Sequence, residues 1–78
     1  MSDLKSVFSR QLRSYRGAAL MSQEELAQKT GMSVDAIGKY ERGEVLPLFE
    51  RVCQLAEALN CTPNDLCAFP AKDSNGGK

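Results

Sequence analysis

The sequence contains no histidine and no tryptophan, and only five of its 78 residues are aromatic. Without histidine, the commonest general base and a frequent metal ligand are both missing. No nucleophile–base pair and no glycine-rich phosphate loop are visible in the sequence, so we expect no enzymatic activity, cofactor or small-molecule ligand. The few aromatic residues predict a core of leucine, valine, isoleucine, alanine and methionine.

Long apolar runs are missing too: the sequence has no stretch of about 18 apolar residues, which argues against a transmembrane helix. The first ten residues, MSDLKSVFSR, lack the apolar region of a signal peptide, so we expect a cytoplasmic protein. Three cysteines are present, Cys53, Cys61 and Cys67, and their spacing matches no zinc site. They are expected to be reduced and to pack as small apolar residues, rather than to form a metal or redox site.

An excess of charge of either sign is also missing, because ten basic residues balance ten acidic ones. Residues 1–42 carry seven Lys or Arg and five Asp or Glu, whereas residues 43–78 carry three and five. The first part is therefore the one that we expect to face an anion. Nucleic-acid-binding domains are usually more basic, so charge alone identifies no partner.

Apolar residues recur with helical spacing, and the alternation typical of strands is not seen. The sequence predicts an all-α domain of five helices over residues 1–69 and a disordered tail over residues 70–78, PAKDSNGGK. Pro47 predicts the start of helix 4, and Thr62 caps a short last helix that begins at Pro63. One face of helix 1 carries Leu4, Phe8, Leu12 and Tyr15.

The most specific signal lies in residues 22–43, SQEELAQKTGMSVDAIGKYERG. Ser22 and Glu25 form a capping box at the start of helix 2, and Gly31 supplies the positive φ angle of a tight turn. Ser33 then caps helix 3. A short helix, a glycine turn and a second helix at a steep angle make up a helix-turn-helix.

This segment resembles the helix-turn-helix of the Cro/C1-type (XRE-like) proteins, which have the phage-repressor fold. The resemblance is carried by the SQEELAQKTGMS opening, Ile37, the YERG ending and the later LAEALNCTPNDL segment. It implies a compact five-helix bundle of lambda-repressor-like type and a sequence-specific transcriptional regulator, expected to be a repressor. The implied partner is double-stranded DNA with a palindromic operator, bound by a homodimer that inserts helix 3 (about residues 33–42) into the major groove.

The outward face of helix 3 is the predicted DNA-reading surface. Helical spacing places on it Val34, Asp35, Gly38, Lys39 and Arg42, and the resemblance adds Ser33. We expect Lys39 to donate to guanine or to a phosphate, and Val34 to contact a thymine methyl group. Asp35 has two interpretations: an acceptor for cytosine N4, or a first-turn carboxylate that the helix dipole favours.

Gly38 stands inside helix 3, where glycine costs roughly 1 kcal/mol relative to alanine. An outward-facing position has no core contact to explain this residue. We therefore expect a close approach of DNA at Gly38, with neutral drift at a tolerant surface position as the alternative.

Two further contacts follow from the resemblance. Gln23, assisted by Ser22, is expected to anchor a phosphate at the N-terminus of helix 2, where backbone N–H groups favour anions. Arg16 and Glu41 match positions that in some relatives form a partly buried ion pair between helices 1 and 3. Two unrelated surface charges are the alternative.

The sequence also departs from the pattern of its relatives. Glu44 follows helix 3 where relatives often carry Lys or Arg, and Leu20 stands where they often have glycine. Few phosphate contacts remain, so we expect affinity to depend on dimerisation. Leu66, Cys67 and Phe69 either close the core or form a two-fold interface. The alternative function is a protein-interaction module of the same fold with weak or no specific DNA binding.

Overall fold

A computed structural model of the chain describes residues 3–68, which form five α-helices and no strand. The helices are α1 (Leu4–Ala18), α2 (Gln23–Thr30), α3 (Val34–Glu41), α4 (Phe49–Ala58) and α5 (Pro63–Cys67). The predicted all-α five-helix bundle is thereby confirmed. The predicted tail 70–78, the domain limit at residue 69 and Phe69 itself lie outside the described residues.

One cluster of buried apolar side chains holds all five helices together. The largest fully buried members are Phe8, Leu12, Leu26, Ile37, Leu55 and Leu66. Helix α1 packs against α3 and α5, while α2 packs against α3 and α4. Leu66 is fully buried and closes the core, whereas Cys67 is half-buried, so the choice between core and interface is settled for Leu66 alone.

The ends of α2 follow from local sequence. The backbone N–H of Ser22 donates to the carboxylate of Glu25 at 2.8 Å, and the N–H of Glu25 donates to the Ser22 hydroxyl at 3.0 Å. Gly31 ends the helix with φ of 73°, a left-handed conformation that glycine adopts without a steric penalty. The Ser33 hydroxyl then accepts from the N–H of Ala36 at 3.0 Å and starts α3. These local bonds fix the tight connection between α2 and α3.

The start of α4 at Pro47 is wrong by two residues. Leu48 is the N-cap, with extended backbone (φ −60°, ψ 155°), and α4 begins at Phe49. The fixed φ of proline suits an extended segment as well as a first helical turn. Extended backbone lets Leu46 and Pro47 line an apolar groove together with Phe8 of α1. The sequence signal at Pro47 thus marks the segment that leads into α4 and not the first residue of the helix.

Candidate nucleic-acid interface

Helix α3 turns one face to the core and the other to solvent. Ile37 is fully buried, and Tyr40 packs against the core from a half-buried position. The exposed residues at the predicted reading positions, here called the α3 face, are Ser33, Val34, Asp35, Lys39 and Arg42. The structure therefore brings five of the six predicted α3 positions together on one accessible surface.

The rear of α3 is fixed by Glu41, whose side chain is only 4% exposed. Arg16 donates to both carboxylate oxygens, from Nε to Oε2 at 2.5 Å and from Nη2 to Oε1 at 3.0 Å. The side-chain amide of Gln23 donates to the same Oε1 at 3.0 Å. The hydrogen bond to Glu41 raises the pKa of Arg16. This arrangement, here called the Glu41 network, ties α1, α2 and α3 to one carboxylate.

Arginine side chains of α1 also bond to backbone around this network. Arg16 donates from Nη1 to the carbonyl oxygen of Met21 at 2.8 Å, and Arg13 donates from Nη1 to the carbonyl oxygen of Glu41. The second bond satisfies a carbonyl at the end of α3 that has no helical donor. No sequence pattern singled out Arg13 as part of this site. Its only signal was the spacing of three residues from Arg16, which places both on one face of α1.

The N-terminus of α2 offers backbone donors rather than the expected glutamine side chain. Gln23 was expected to anchor a phosphate, yet its side-chain amide is bonded to Glu41. The first helical hydrogen bond runs from Leu26 N–H to Ser22 O at 3.0 Å, so the N–H groups of Gln23 and Glu24 precede it. Such N–H groups have no helical acceptor and favour an anion. The carboxylates of Glu24 and Glu25 in the same turn oppose that anion.

Both basic residues of the α3 face carry an acidic partner. Lys39 Nζ lies 3.6 Å from Asp35 Oδ2, one helical turn away, and both side chains are largely exposed. Arg42 donates from Nε to Glu44 Oε2 at 2.6 Å. That hydrogen bond raises the pKa of Arg42 and lowers the pKa of Glu44. The face is consequently close to neutral, and the longer, water-exposed contact between Lys39 and Asp35 opens at little cost.

Gly38 does not lie open to solvent, and the close approach of DNA expected there stays a prediction. The residue is buried, although it stands on the side of α3 that carries the reading positions. A Cβ atom at this position would lie 2.9 Å from Nη1 of Arg42. The reason is that the long Arg42 side chain, one turn further along, folds back over the helix. Glycine leaves the room in which the guanidinium lies.

A second accessible surface is apolar and surrounds the start of α4. We call Leu4, Leu46, Leu48 and Phe49 the apolar patch. The last two of these side chains are 76% and 71% exposed. Cys67 of α5 lines the groove beside the patch, together with Leu4 and Phe49. Large apolar side chains in water favour contact with another apolar surface.

The remaining titratable groups form no reactive site within residues 3–68. No group of His, Cys, Asp or Glu in that part of the chain is arranged to hold a metal ion. The three cysteines are unpaired, and burial raises the pKa of the thiols of Cys61 and Cys67. None of the described helices is long and apolar enough to span a membrane.

The family model described as Helix-turn-helix matches residues 12–66 of the chain. The chain therefore belongs to this helix-turn-helix family of Cro/C1 (XRE) type, a family of transcriptional regulators and not of enzymes. The matched range contains the Glu41 network and the whole α3 face.

Individual relatives agree with this assignment. The chain is similar to the cryptic phage CTXphi transcriptional repressor RstR of Vibrio cholerae serotype O1, with 36% identity over 64 residues, 82% of this chain and 57% of the relative. It is similar to the control protein C.SmaI of Serratia marcescens, with 38% identity over 58 residues, 74% of this chain and 69% of the relative. The chain thus spans little more than half of the phage repressor's length.

A solved structure shows the same fold. The restriction-modification controller protein C.AhdI from Aeromonas hydrophila superposes with a TM-score of 0.76 and 34% sequence identity. The superposition covers 80% of this chain and 94% of the controller protein. The five-helix arrangement is therefore shared with a protein of nearly the same extent.

Proposed function

We propose that this chain is a sequence-specific DNA-binding repressor of transcription that inserts α3 into the major groove. The observation that carries the proposal is the contrast between the two sides of α3. Its rear is held by Ile37 and the Glu41 network, whereas Val34, Asp35 and Lys39 point to solvent without any role in the core. A fixed helix with polar and small apolar side chains outward matches what reading base edges requires.

The N-terminus of α2 supplies the positioning contact in this proposal. The N–H groups of Gln23 and Glu24 have no helical acceptor, so a DNA phosphate could accept hydrogen bonds from them. Contacts to phosphates set the register of a protein on the duplex and carry no sequence information. Selection between sequences therefore falls to the α3 face.

A selection from a pool of random duplexes tests the proposal directly. The chain is incubated with the pool at low and at moderate salt, and the bound DNA is separated by gel shift and sequenced. Enrichment of one sequence that weakens with added salt supports the proposal. Failure to enrich any sequence at low salt contradicts it.

A matched pair of lysine variants assigns the selection to α3. Lys39→Ala should abolish the preference for the selected sequence and leave the melting temperature unchanged, because Lys39 lies outside the core. Lys29→Ala removes the same charge from the last turn of α2 and should keep the preference. Equal binding by both variants would contradict a reading role for Lys39.

The proposal includes a homodimer on a palindromic operator in the cytoplasm, where cysteines stay reduced. Support for the dimer comes from the apolar patch, in which Leu48 and Phe49 are mostly exposed in the single chain. A second copy is the occupant that would cover this patch and place two α3 helices about 34 Å apart, one turn of DNA. Sedimentation equilibrium of the free chain would show the dimer, and the selected sequence would be a palindrome.

A protein-interaction module with the same fold is the second candidate. The observation that favours it is the pairing of Lys39 with Asp35 and of Arg42 with Glu44, which leaves the α3 face with little net positive charge. The random-duplex selection separates the two candidates, since a protein-interaction module would enrich no DNA sequence.

A further inference from the structure

Arg42 is the only basic residue of the α3 face that is held on two sides. On one side its Nε donates to Glu44 at 2.6 Å. On the other side its guanidinium lies over Gly38, close enough that a Cβ there would stand 2.9 Å from Nη1 and 3.8 Å from Nη2. A long exposed arginine is normally free to change rotamer, so two supports of this kind restrict its direction.

The supported guanidinium still has donors to offer. Five N–H donors are arranged in a planar fork, and only the one on Nε is bonded to Glu44. Within residues 3–68 the Nη1 and Nη2 groups donate to no protein acceptor, and 57% of the side chain is accessible. The guanidinium therefore lies against Gly38 with unused donors on Nη1 and Nη2, at a position that the contacts on both sides restrict.

We propose that Gly38 and Glu44 are positioning residues that hold Arg42 as a fixed fork for a pair of acceptors on DNA. The inference rests on the proposed DNA binding and names the arginine that this binding uses. The acceptor pair is either N7 and O6 of a guanine or two oxygens of one phosphate, since both match the fork. Prior orientation reduces the entropy that the side chain loses when it binds.

The negative charge of Glu44 favours a role in positioning Arg42 over a role in binding DNA non-specifically. A carboxylate beside DNA repels phosphates and cancels the charge of Arg42, so it weakens non-specific binding. A basic residue at this position would strengthen that binding. The carboxylate instead accepts a charge-assisted hydrogen bond from Nε of Arg42. The Nη1 and Nη2 groups of the same guanidinium are then left to donate to DNA.

Gly38→Ala is the sharpest test, because it changes no charge and displaces only the far end of a flexible side chain. Alanine is also the better helix former, so the variant should melt no lower than the wild type. Gly17→Ala is the matched control: it makes the same change in α1, where a Cβ would meet nothing within 4 Å. Both variants are measured on the enriched duplex and on a scrambled duplex of equal length.

We expect Gly38→Ala to bind the enriched duplex about fivefold or more weakly, while Gly17→Ala binds as the wild type does. A loss confined to the enriched duplex assigns the fork to guanine, and an equal loss on both duplexes assigns it to a phosphate. The loss should vanish when Arg42 is already alanine. Wild-type binding by Gly38→Ala, or a loss that persists in the Arg42→Ala background, would overturn the inference.

The role of Glu44 has its own readout in the free protein. The Nε–H of Arg42 should give a resolved cross-peak in a ¹⁵N NMR spectrum at neutral pH, because its bond to Glu44 slows exchange with water. Glu44→Ala should remove this cross-peak, and Glu57→Ala on α4 should not. An unchanged cross-peak in Glu44→Ala would remove Glu44 from the fork.

Different results would contradict the proposed DNA binding and the proposed positioning of Arg42. If the wild type enriches no duplex, the proposed function fails and the fork falls with it. If the wild type enriches a sequence and Gly38→Ala binds it equally well, DNA binding stands and the fork alone is wrong.

Discussion

The carboxylate of Glu41 receives both of its arginine hydrogen bonds from one residue, since Arg16 reaches Oε2 from Nε at 2.5 Å and Oε1 from Nη2 at 3.0 Å. This bidentate contact joins the end of α3 to the end of α1, helices that are separated by α2 in the sequence. Bidentate arginine–carboxylate pairs fix direction as well as distance. The angle at which α3 leaves the bundle thus depends on a buried polar contact as well as on Ile37.

Glu41→Ala should destabilise the fold and weaken DNA binding together. The variant leaves the arginine without its partner in a partly buried place, which typically costs ~3–5 kcal/mol. A domain of this size has a free energy of unfolding on the order of 5 kcal/mol, so a large drop in melting temperature should follow. Circular dichroism during heating measures it. Glu57→Ala, an exposed control on α4, should melt like the wild type, and an unchanged melt for Glu41→Ala would contradict the prediction.

Leu20→Gly should stabilise the protein. Leu20 has φ of 57° and a side chain that is 90% exposed, so it occupies a left-handed conformation without burial to offset the strain. Glycine removes about 1 kcal/mol of that strain from the folded state. Part of this gain is offset because glycine also increases the conformational entropy of the unfolded chain. Urea unfolding should therefore show a modest rise. Ala19→Gly, at an exposed neighbouring position with φ of −83°, should show no rise. Equal shifts in both variants would contradict the explanation.

Phe49→Ser should shift the protein toward monomer if the apolar patch is the dimer surface. Its side chain is mostly exposed in the single chain, so the substitution should leave the melting temperature of the monomer nearly unchanged. Sedimentation equilibrium at several concentrations measures the dissociation constant. Val34→Ser removes an exposed apolar side chain from the α3 face and should leave dimerisation intact. A wild type that is monomeric throughout would rule out this use of the patch.

Thiol reagents should modify Cys61 and Cys67 slowly at neutral pH. Burial raises the pKa of both thiols, so the reactive thiolate is scarcer than in an exposed cysteine, and access is restricted as well. Mass spectrometry after timed iodoacetamide treatment gives the rate at each site. The modification rates should keep rising at pH values above the ordinary pKa of a thiol. They should also increase in urea, which unfolds the protein and exposes both side chains. Fast labelling of the folded protein at neutral pH would contradict the burial of these side chains.

Acid should remove the contribution of the Arg42–Glu44 pair. The hydrogen bond from Arg42 lowers the pKa of Glu44, so the pair stabilises the fold above the ordinary glutamate pKa. That contribution is lost as the pH falls through the lowered pKa, where the carboxylate takes up a proton. The unfolding curves of the wild type and Glu44→Gln should therefore differ near neutral pH and converge once the pH lies below the lowered pKa of Glu44. A difference that persists in acid would have to come from something other than this ion pair.

The sequence predicted correctly those parts of the structure that depend on residues close together in the chain. The capping box of Ser22 and Glu25, the turn at Gly31 and the cap at Ser33 all involve residues within a few positions of each other. The confirmed five-helix fold follows largely from such signals together with apolar spacing. Pro47 misled the prediction of α4 because the fixed φ of proline suits the extended backbone before a helix as well as the first helical turn.

The predicted reading surface was incomplete because some of its side chains make contacts that a sequence pattern does not reveal. Spacing correctly put Gly38 on the side of Arg42, but it could not show that the guanidinium folds back over the helix. The amide of Gln23 is directed to Glu41 by the meeting of three helices, and no local pattern contains that contact. The DNA contacts of these residues remain predictions.

Every contact that fixes the orientation of α3 lies on its rear or at its ends, through Ile37, Glu41 and the caps. The outer side chains Val34 and Asp35 are exposed and lie outside the core. A library that randomises those two positions should therefore yield mostly folded members, each with the same backbone and a different chemical surface. Variants with an altered preference for DNA sequence could therefore be selected from this bundle without changes to its core.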